Sequence, residues 1–125
     1  MAATSVLSTD AEMLAMAGAG VSAAGFTDAN KTAWGIQAED FLCCLTNYDL
    51  VTNVATLGAN FKLILSEYVS RYVGMCAIAY DMGQAVATYT SRVEAEDMIN
   101  IHIFRITAIE NLLLKGEMLA SLGIV

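Results

Sequence analysis

Proline is entirely absent from these 125 residues, although average usage would place about six in a chain of this length. No ring therefore forces a helix to stop or kink, and the punctuation falls to Gly, Asn, Asp and Thr. Basic side chains are scarce as well: six Lys and Arg stand against thirteen Asp and Glu, for a net charge of −7. Wrapping a nucleic acid depends on Lys and Arg displacing counterions from phosphates, so this balance argues against it. An acidic protein can still stand close to DNA when its task is to let the polymer pass without sticking.

Long apolar runs are missing too. The longest uncharged stretch, Met13 to Thr27, has about 15 residues, largely Ala, Gly and Ser, where a membrane-spanning helix needs about 20 strongly apolar ones. No basic residue precedes Lys31, so the small-residue run does not read as the core of a signal peptide. We expect no export, no membrane and a reducing compartment. The cysteines, Cys43, Cys44 and Cys76, form an odd set in apolar surroundings and without a Cys-x-x-Cys spacing, which fits buried thiols better than a disulfide framework.

What the chain does have is apolar surface. Counting Gly but not Tyr, roughly 60% of the residues are apolar, against about 45–50% in an ordinary soluble domain. At this length a core forms, but most helices keep one face in water. The excess therefore belongs in contacts between subunits.

The spacing of the apolar residues predicts an all-α fold, a bundle of about four helices with a long central helix pair and an apolar C-terminal tail. We read residues 1–125 as a single helical domain: a small-residue N-terminal helix within 1–26, a helical core at 27–116 and a tail at 117–125. The first helix begins with Thr9 or Asp10 as cap and runs to about Ala24, with Gly25 as its stop. The second runs from Thr27 or Asp28 to about Leu45. Its buried stripe is Trp34, Ala38, Phe41 and Leu45, with Lys31, Glu39 and Asp40 on a solvated face. Residues 46–53 mix turn formers with β-branched residues and read as a loop or brief extended stretch.

The third helix covers about Leu57 to Met82, with Phe61, Leu65, Tyr68, Tyr72, Cys76 and Tyr80 in one row. Glu67 and Arg71 stand at i, i+4 in the favourable order. The fourth opens on a capping box, Ser91-Arg92-Val93-Glu94, and runs to about Leu114, with Lys115-Gly116 closing it. Around its axis only a strip near Glu96, Asn100, Thr107 and Asn111 is left for water. A helix apolar on nearly every side belongs at the centre of something.

Catalytic patterns are not found. The one histidine, His102, sits in the most apolar helix and reads as a hydrogen-bonded core or interface residue, since no nucleophile or base lies beside it in sequence. A di-metal bundle needs two Glu-x-x-His pairs, and Ile99 occupies the position where even the first would start. Gly18-Ala19-Gly20 lacks the third glycine and the preceding strand of a dinucleotide loop. The carboxylates Glu94, Glu96 and Asp97 fall in a first helical turn, where the helix dipole already favours them. We expect no enzyme, no cofactor and no metal. Tyr68, Tyr72 and Tyr80 could wall a ligand, but at helical spacing such rings more often serve core or interface.

Three features together resemble the head-tail connector, or adaptor, proteins of tailed phages. They are the helix holding Ala38-Glu39-Asp40-Phe41-Leu42 with the loop Asn47-Tyr48-Asp49, the long helix from Leu63 through Tyr80, and the helix from Ser91 followed by the apolar tail. The similarity spans about residues 27 to 125 and is one of pattern, without a diagnostic short motif. It implies a homo-oligomeric ring of all-α subunits beneath a portal, in the virion at the head-tail interface and in the host cytoplasm during assembly. The tail residues Met118, Leu119, Leu122, Ile124 and Val125 would dock on the portal, with further tail or nozzle proteins below. The long helices would pack side by side through Phe61, Tyr68, Tyr72, Ile103 and Phe104, and DNA would pass the acidic lumen without specific binding. The alternative is a cytosolic helical bundle that holds a small apolar ligand among Trp34, Phe61, Tyr68, Tyr72 and Phe104.

Overall fold

A computed structural model of the chain describes residues 6–18, 26–83 and 92–114. They form four helices, α1 (Asp10–Ala17), α2 (Asp28–Thr46), α3 (Ala59–Gly83) and α4 (Arg92–Leu113), with a short 3-10 turn at Val54–Thr56 before α3. No strand occurs among the described residues. The bundle is all-α, as the apolar spacing predicts.

The helix ends follow local chemistry. Thr9 caps α1 in a full capping box: its side chain accepts the Glu12 N–H at 3.2 Å while Glu12 Oε1 accepts the Thr9 N–H at 2.8 Å. The helix stops well short of Ala24, because Gly18 takes a positive φ of 85° and its N–H returns to the Leu14 carbonyl. Glycine alone reaches that backbone region without steric cost. Thr27 caps α2 through the Asn30 N–H, and Asn47 ends it in the left-handed conformation at φ 54°. Asparagine tolerates that conformation better than most residues. The following loop is tied by Asp49, which accepts from the Thr52 N–H at 3.0 Å and the Thr52 hydroxyl at 2.7 Å. It forms turns rather than an extended stretch. The expected Ser91 capping box, the Lys115-Gly116 stop and the 117–125 tail lie outside the described residues.

α3 is the axis of the fold, and α1, α2 and α4 each pack against it, while α2 and α4 touch only briefly. Paired residues give the directions. Trp34 meets Tyr80 and Phe41 meets Tyr68, so α2 runs antiparallel to α3. Arg71 meets His102 and Tyr68 meets Glu110, so α4 does the same. Glu12 meets Ser66 and Met16 lies against Gly74, so α1 runs parallel to it. The core joins Met13, Leu42, Leu50, Leu65, Tyr68 and Leu113, all essentially inaccessible. Burying a side chain of this size contributes about 1.5–3 kcal/mol.

The stripe expected on α2 is shifted. The buried row is Lys31, Gly35, Ala38, Glu39, Leu42 and Thr46, whereas Phe41 is exposed and Trp34 and Leu45 are half-buried. Two charged residues assigned to water are therefore inside, and each is compensated. Glu39 Oε2 accepts the N–H groups of Val6 and Leu7 at 2.7 and 2.8 Å. Lys31 reaches Asp28 at 3.3 Å and Asp10 at 3.8 Å, and its ammonium lies 4.7 Å from the centre of the Phe26 ring. A buried charge survives only with such partners, and these partners tie the segment before α1 to α2.

Candidate functional site: an ion-pair chain over the third helix and a bare face on the fourth

The i, i+4 pair Glu67 and Arg71 proves to be the middle of a longer chain of contacts. Arg71 Nε donates to Glu67 Oε2 at 2.7 Å. Arg105 of α4 donates to the same carboxylate twice, from Nε to Oε2 at 2.8 Å and from Nη2 to Oε1 at 2.9 Å. That paired geometry is the strong form of an arginine–carboxylate contact. The Arg105 hydrogen bonds, helped by Arg71 and opposed by burial, hold the Glu67 carboxyl down at about 2.

The chain continues into His102. Arg71 Nη1 lies 3.1 Å from His102 Nδ1, and His102 Nε2 lies 2.9 Å from the Met16 carbonyl oxygen. A guanidinium can only donate and a carbonyl can only accept, so the ring is neutral, with its proton on Nε2. His102 is 5% exposed. Burial, reinforced by the Arg71 charge and opposed by the Met16 hydrogen bond, keeps its pKa below the usual histidine value. The expected hydrogen-bonded interior histidine is what this geometry provides. Its partners are an arginine and a backbone carbonyl, neither of them a nucleophile.

The same contacts dock α1. Met16 is in the last turn, where helix carbonyls lack intrahelical partners, and His102 supplies the missing donor from α4. Ser66 donates to Glu12 Oε2 at 2.5 Å. Burial pushes the Glu12 carboxyl up, but hydrogen bonds from Ser66 and Thr9 outweigh it and hold the group below its ordinary value. At Gly74 the two backbones come so close that a Cβ would stand 2.8 Å from the Met16 carbonyl carbon.

The aromatic residues divide. Phe61 and Tyr68 are buried in their own chain's core, and Tyr72 packs half-buried against it. The Tyr68 hydroxyl donates to Glu110 Oε2 at 2.9 Å, and burial followed by that carboxylate drives its pKa upward. Ile103 and Phe104, by contrast, are 47% and 73% exposed, and Ile101 is 60% exposed. Ile101, Phe104 and Ala108 fall at i, i+3 and i+7 on the outside of α4, a continuous apolar strip. The polar strip expected there, Glu96, Asn100, Thr107 and Asn111, is exposed beside it.

Grooves are formed beside α4 and between α1 and α3. One, of about 270 Å³, runs between Ile64 and the Arg105, Ala108 and Leu112 side of α4. The other, of about 200 Å³, lies between α1 and α3, bordered by Glu12, Met16, Leu63 and Glu67. None of the five aromatic residues expected around a ligand lines either groove. Trp34 and Tyr80 pack on each other at 6.4 Å, and Tyr68 stacks on Phe41 at 6.3 Å.

Of the cysteines, Cys44 is exposed, against the expectation of three buried thiols, and Cys43 and Cys76 are half-buried. Burial pushes the Cys76 thiol up to about 11, which leaves it protonated and a poor nucleophile. Among the described residues no group of three His, Cys, Asp or Glu side chains is placed to hold a metal ion. No described helix is long and apolar enough to cross a membrane. The partner-binding residues Met118, Leu119, Leu122, Ile124 and Val125 lie outside the described residues. No family model, curated protein or solved structure matches this chain.

Proposed function

We propose that this chain is a structural subunit of a homo-oligomeric ring, of the head-tail connector class that its helices resemble, sitting beneath a portal with DNA passing through. The observation that carries the reading is the outer face of α4, where Ile101, Ile103 and Phe104 stand in water within one turn and exposed Ala108 extends the strip into the next. Exposed apolar residues scattered singly are ordinary, but a contiguous patch marks a contact surface. Leu63, at 67% exposure, adds a further apolar surface residue on α3. The net charge of −7 suits a lumen that repels phosphate. The assignment to a virion, to a portal and to tail partners rests on the resemblance, and so does the docking role of the C-terminal tail.

Native mass measurement tests it, on the purified chain and on the particle that carries it. A closed ring of identical subunits is expected. A chain that stays monomeric at high concentration and is absent from the particle ends the proposal. Deleting the residues after Gly116 separates tail from core: the subunit should stay helical by circular dichroism and lose its attachment to the portal.

A further inference from the structure

We propose that His102 is a pH-dependent latch on α1, holding that helix against α3 and α4 while the ring is neutral and releasing it when the ring takes a second proton. The inference does not depend on the ring reading above. It starts from how α1 is held: Met13 and Ala17 are buried and Ser66 binds Glu12 near its start, while α4 reaches its last turn through His102. Eight residues make only two turns, too few for a helix to persist in water by its own hydrogen bonds. Its C-terminal end is closed by the His102 bond to the Met16 carbonyl, and its backbone is pressed against Gly74.

Neutral His102 fits this seat on both sides, since Nε2 donates to Met16 and Nδ1 accepts from Arg71. A proton added at Nδ1 turns the second contact into two donors facing each other at 3.1 Å, with a positive charge on each. One of the two must move. Arg71 is anchored through Nε to Glu67, so the imidazolium is the freer partner, and its departure takes the side-chain donor from the Met16 carbonyl.

The surrounding charges do not rescue the protonated ring. From α3, Glu67 is the nearest anion in the chain of contacts, but both its oxygens already accept from Arg71 and Arg105. From α4 itself comes another cation, Arg105. From α1 the carboxylates are Asp10, which faces Lys31 of α2, and Glu12, which is engaged by Ser66 and the Thr9 N–H. The end of the α1 dipole favours a cation, and burial and Arg71 oppose it. The lowered pKa of His102 says that opposition prevails.

The sign follows from linkage. A folded pKa below the unfolded 6.5 means that the docking contribution is complete above 6.5. It is lost as the pH falls from there through the lowered folded value. His102 is the single histidine of the chain, so its imidazole signals can be followed without assignment ambiguity.

The experiment follows the imidazole resonances and the amide hydrogen exchange of Met13–Ala17 together, from pH 7 to about 4.5, in the full chain and in His102→Gln. The Gln amide can donate and accept but cannot titrate. In the wild type, α1 protection should be lost as the imidazole titrates, the two curves sharing one midpoint. In H102Q the protection should be flat over the same range. Two results overturn the latch: α1 protection that holds while the imidazole titrates, or an H102Q profile that follows the wild type. If H102Q does not fold, the coincidence of the two wild-type curves decides alone.

Discussion

α3 has 25 residues and α4 has 22, and both carry apolar side chains on nearly every side, yet one is enclosed and the other is half bare. α3 meets α1, α2 and α4 around its circumference. α4 has α3 on its inner side, with Ala95, His102, Ile106, Ile109 and Leu113 buried there, and keeps Phe104 and its neighbours outside. The same apolar excess is thus core in one helix and uncovered surface in the other. What differs is how many of the described elements pack on each helix: three on α3, and α3 with only a brief touch of α2 on α4.

Leu65→Ala removes a fully buried side chain where α3 is enclosed. It should lower the unfolding free energy by about 2–5 kcal/mol, with the usual spread set by how far the cavity collapses. Urea denaturation measures it. A loss below about 1 kcal/mol would mean that α3 is not the closed axis described.

Glu67→Gln is expected to be next. The substitution leaves two arginines sharing a neutral acceptor, at a cost of about 1.5–3 kcal/mol, towards the lower end because the site is partly exposed. Its pH signature is specific. The folded value of about 2 lies below the ordinary 4.5, so the contribution is complete above 4.5 and is lost as pH falls through about 2. Stability curves of wild type and E67Q should converge on acidification over that range; parallel curves would remove the ion pair from the account.

Gly74→Ala probes the seam under α1. Alanine favours a helix by about 1 kcal/mol over glycine, but here its Cβ would meet the Met16 backbone at 2.8 Å. Overpacking of this kind costs about 1–3 kcal/mol, and it should fall on α1 alone. Amide exchange resolves the outcome: α1 loses protection while the centre of α3 keeps it. A uniformly stabilised G74A would show that α1 sits further off than described.

Much of this architecture is legible in the sequence, and the failures share a cause. Caps and stops at Thr9, Thr27 and Asn47 are local effects, readable from a few adjacent residues. The Glu67–Arg71 pair is local too, and so it is visible at i, i+4. What sequence cannot supply is the third dimension of each contact. Arg105 lies 38 residues from Glu67 and Met16 lies 86 from His102, and no periodicity links them. By sequence alone Lys31 and Glu39 belong on the wet face, because charge is normally solvated. Only the chain returning at Val6, Leu7 and Asp10 makes their burial tolerable. The signal that could have found them is the row Lys31, Gly35, Ala38, Leu42 and Thr46, as regular at helical spacing as the row built on Trp34. Likewise α3 and α4 are near equals by apolar count, and neither count says which one the others surround.

The smallest expected effect on folding is the one that bears most on assembly. Phe104 is 73% exposed, so Phe104→Ser removes little buried area and should change the stability of an isolated subunit by no more than about 0.5 kcal/mol. In an assembly the same ring would sit at the centre of an apolar strip, where large aromatic anchors carry a disproportionate share of binding energy and truncation commonly costs 2 kcal/mol or more. That corresponds to a shift of about thirtyfold in the dissociation constant. Sedimentation of wild type and variant across a concentration series measures the shift, and denaturation of each measures the fold. Oligomers lost with the fold intact would make α4's outer face the contact surface. Oligomers that persist unchanged would move the contact to another face of the chain, and a variant that unfolds would show Phe104 to be covered by its own chain.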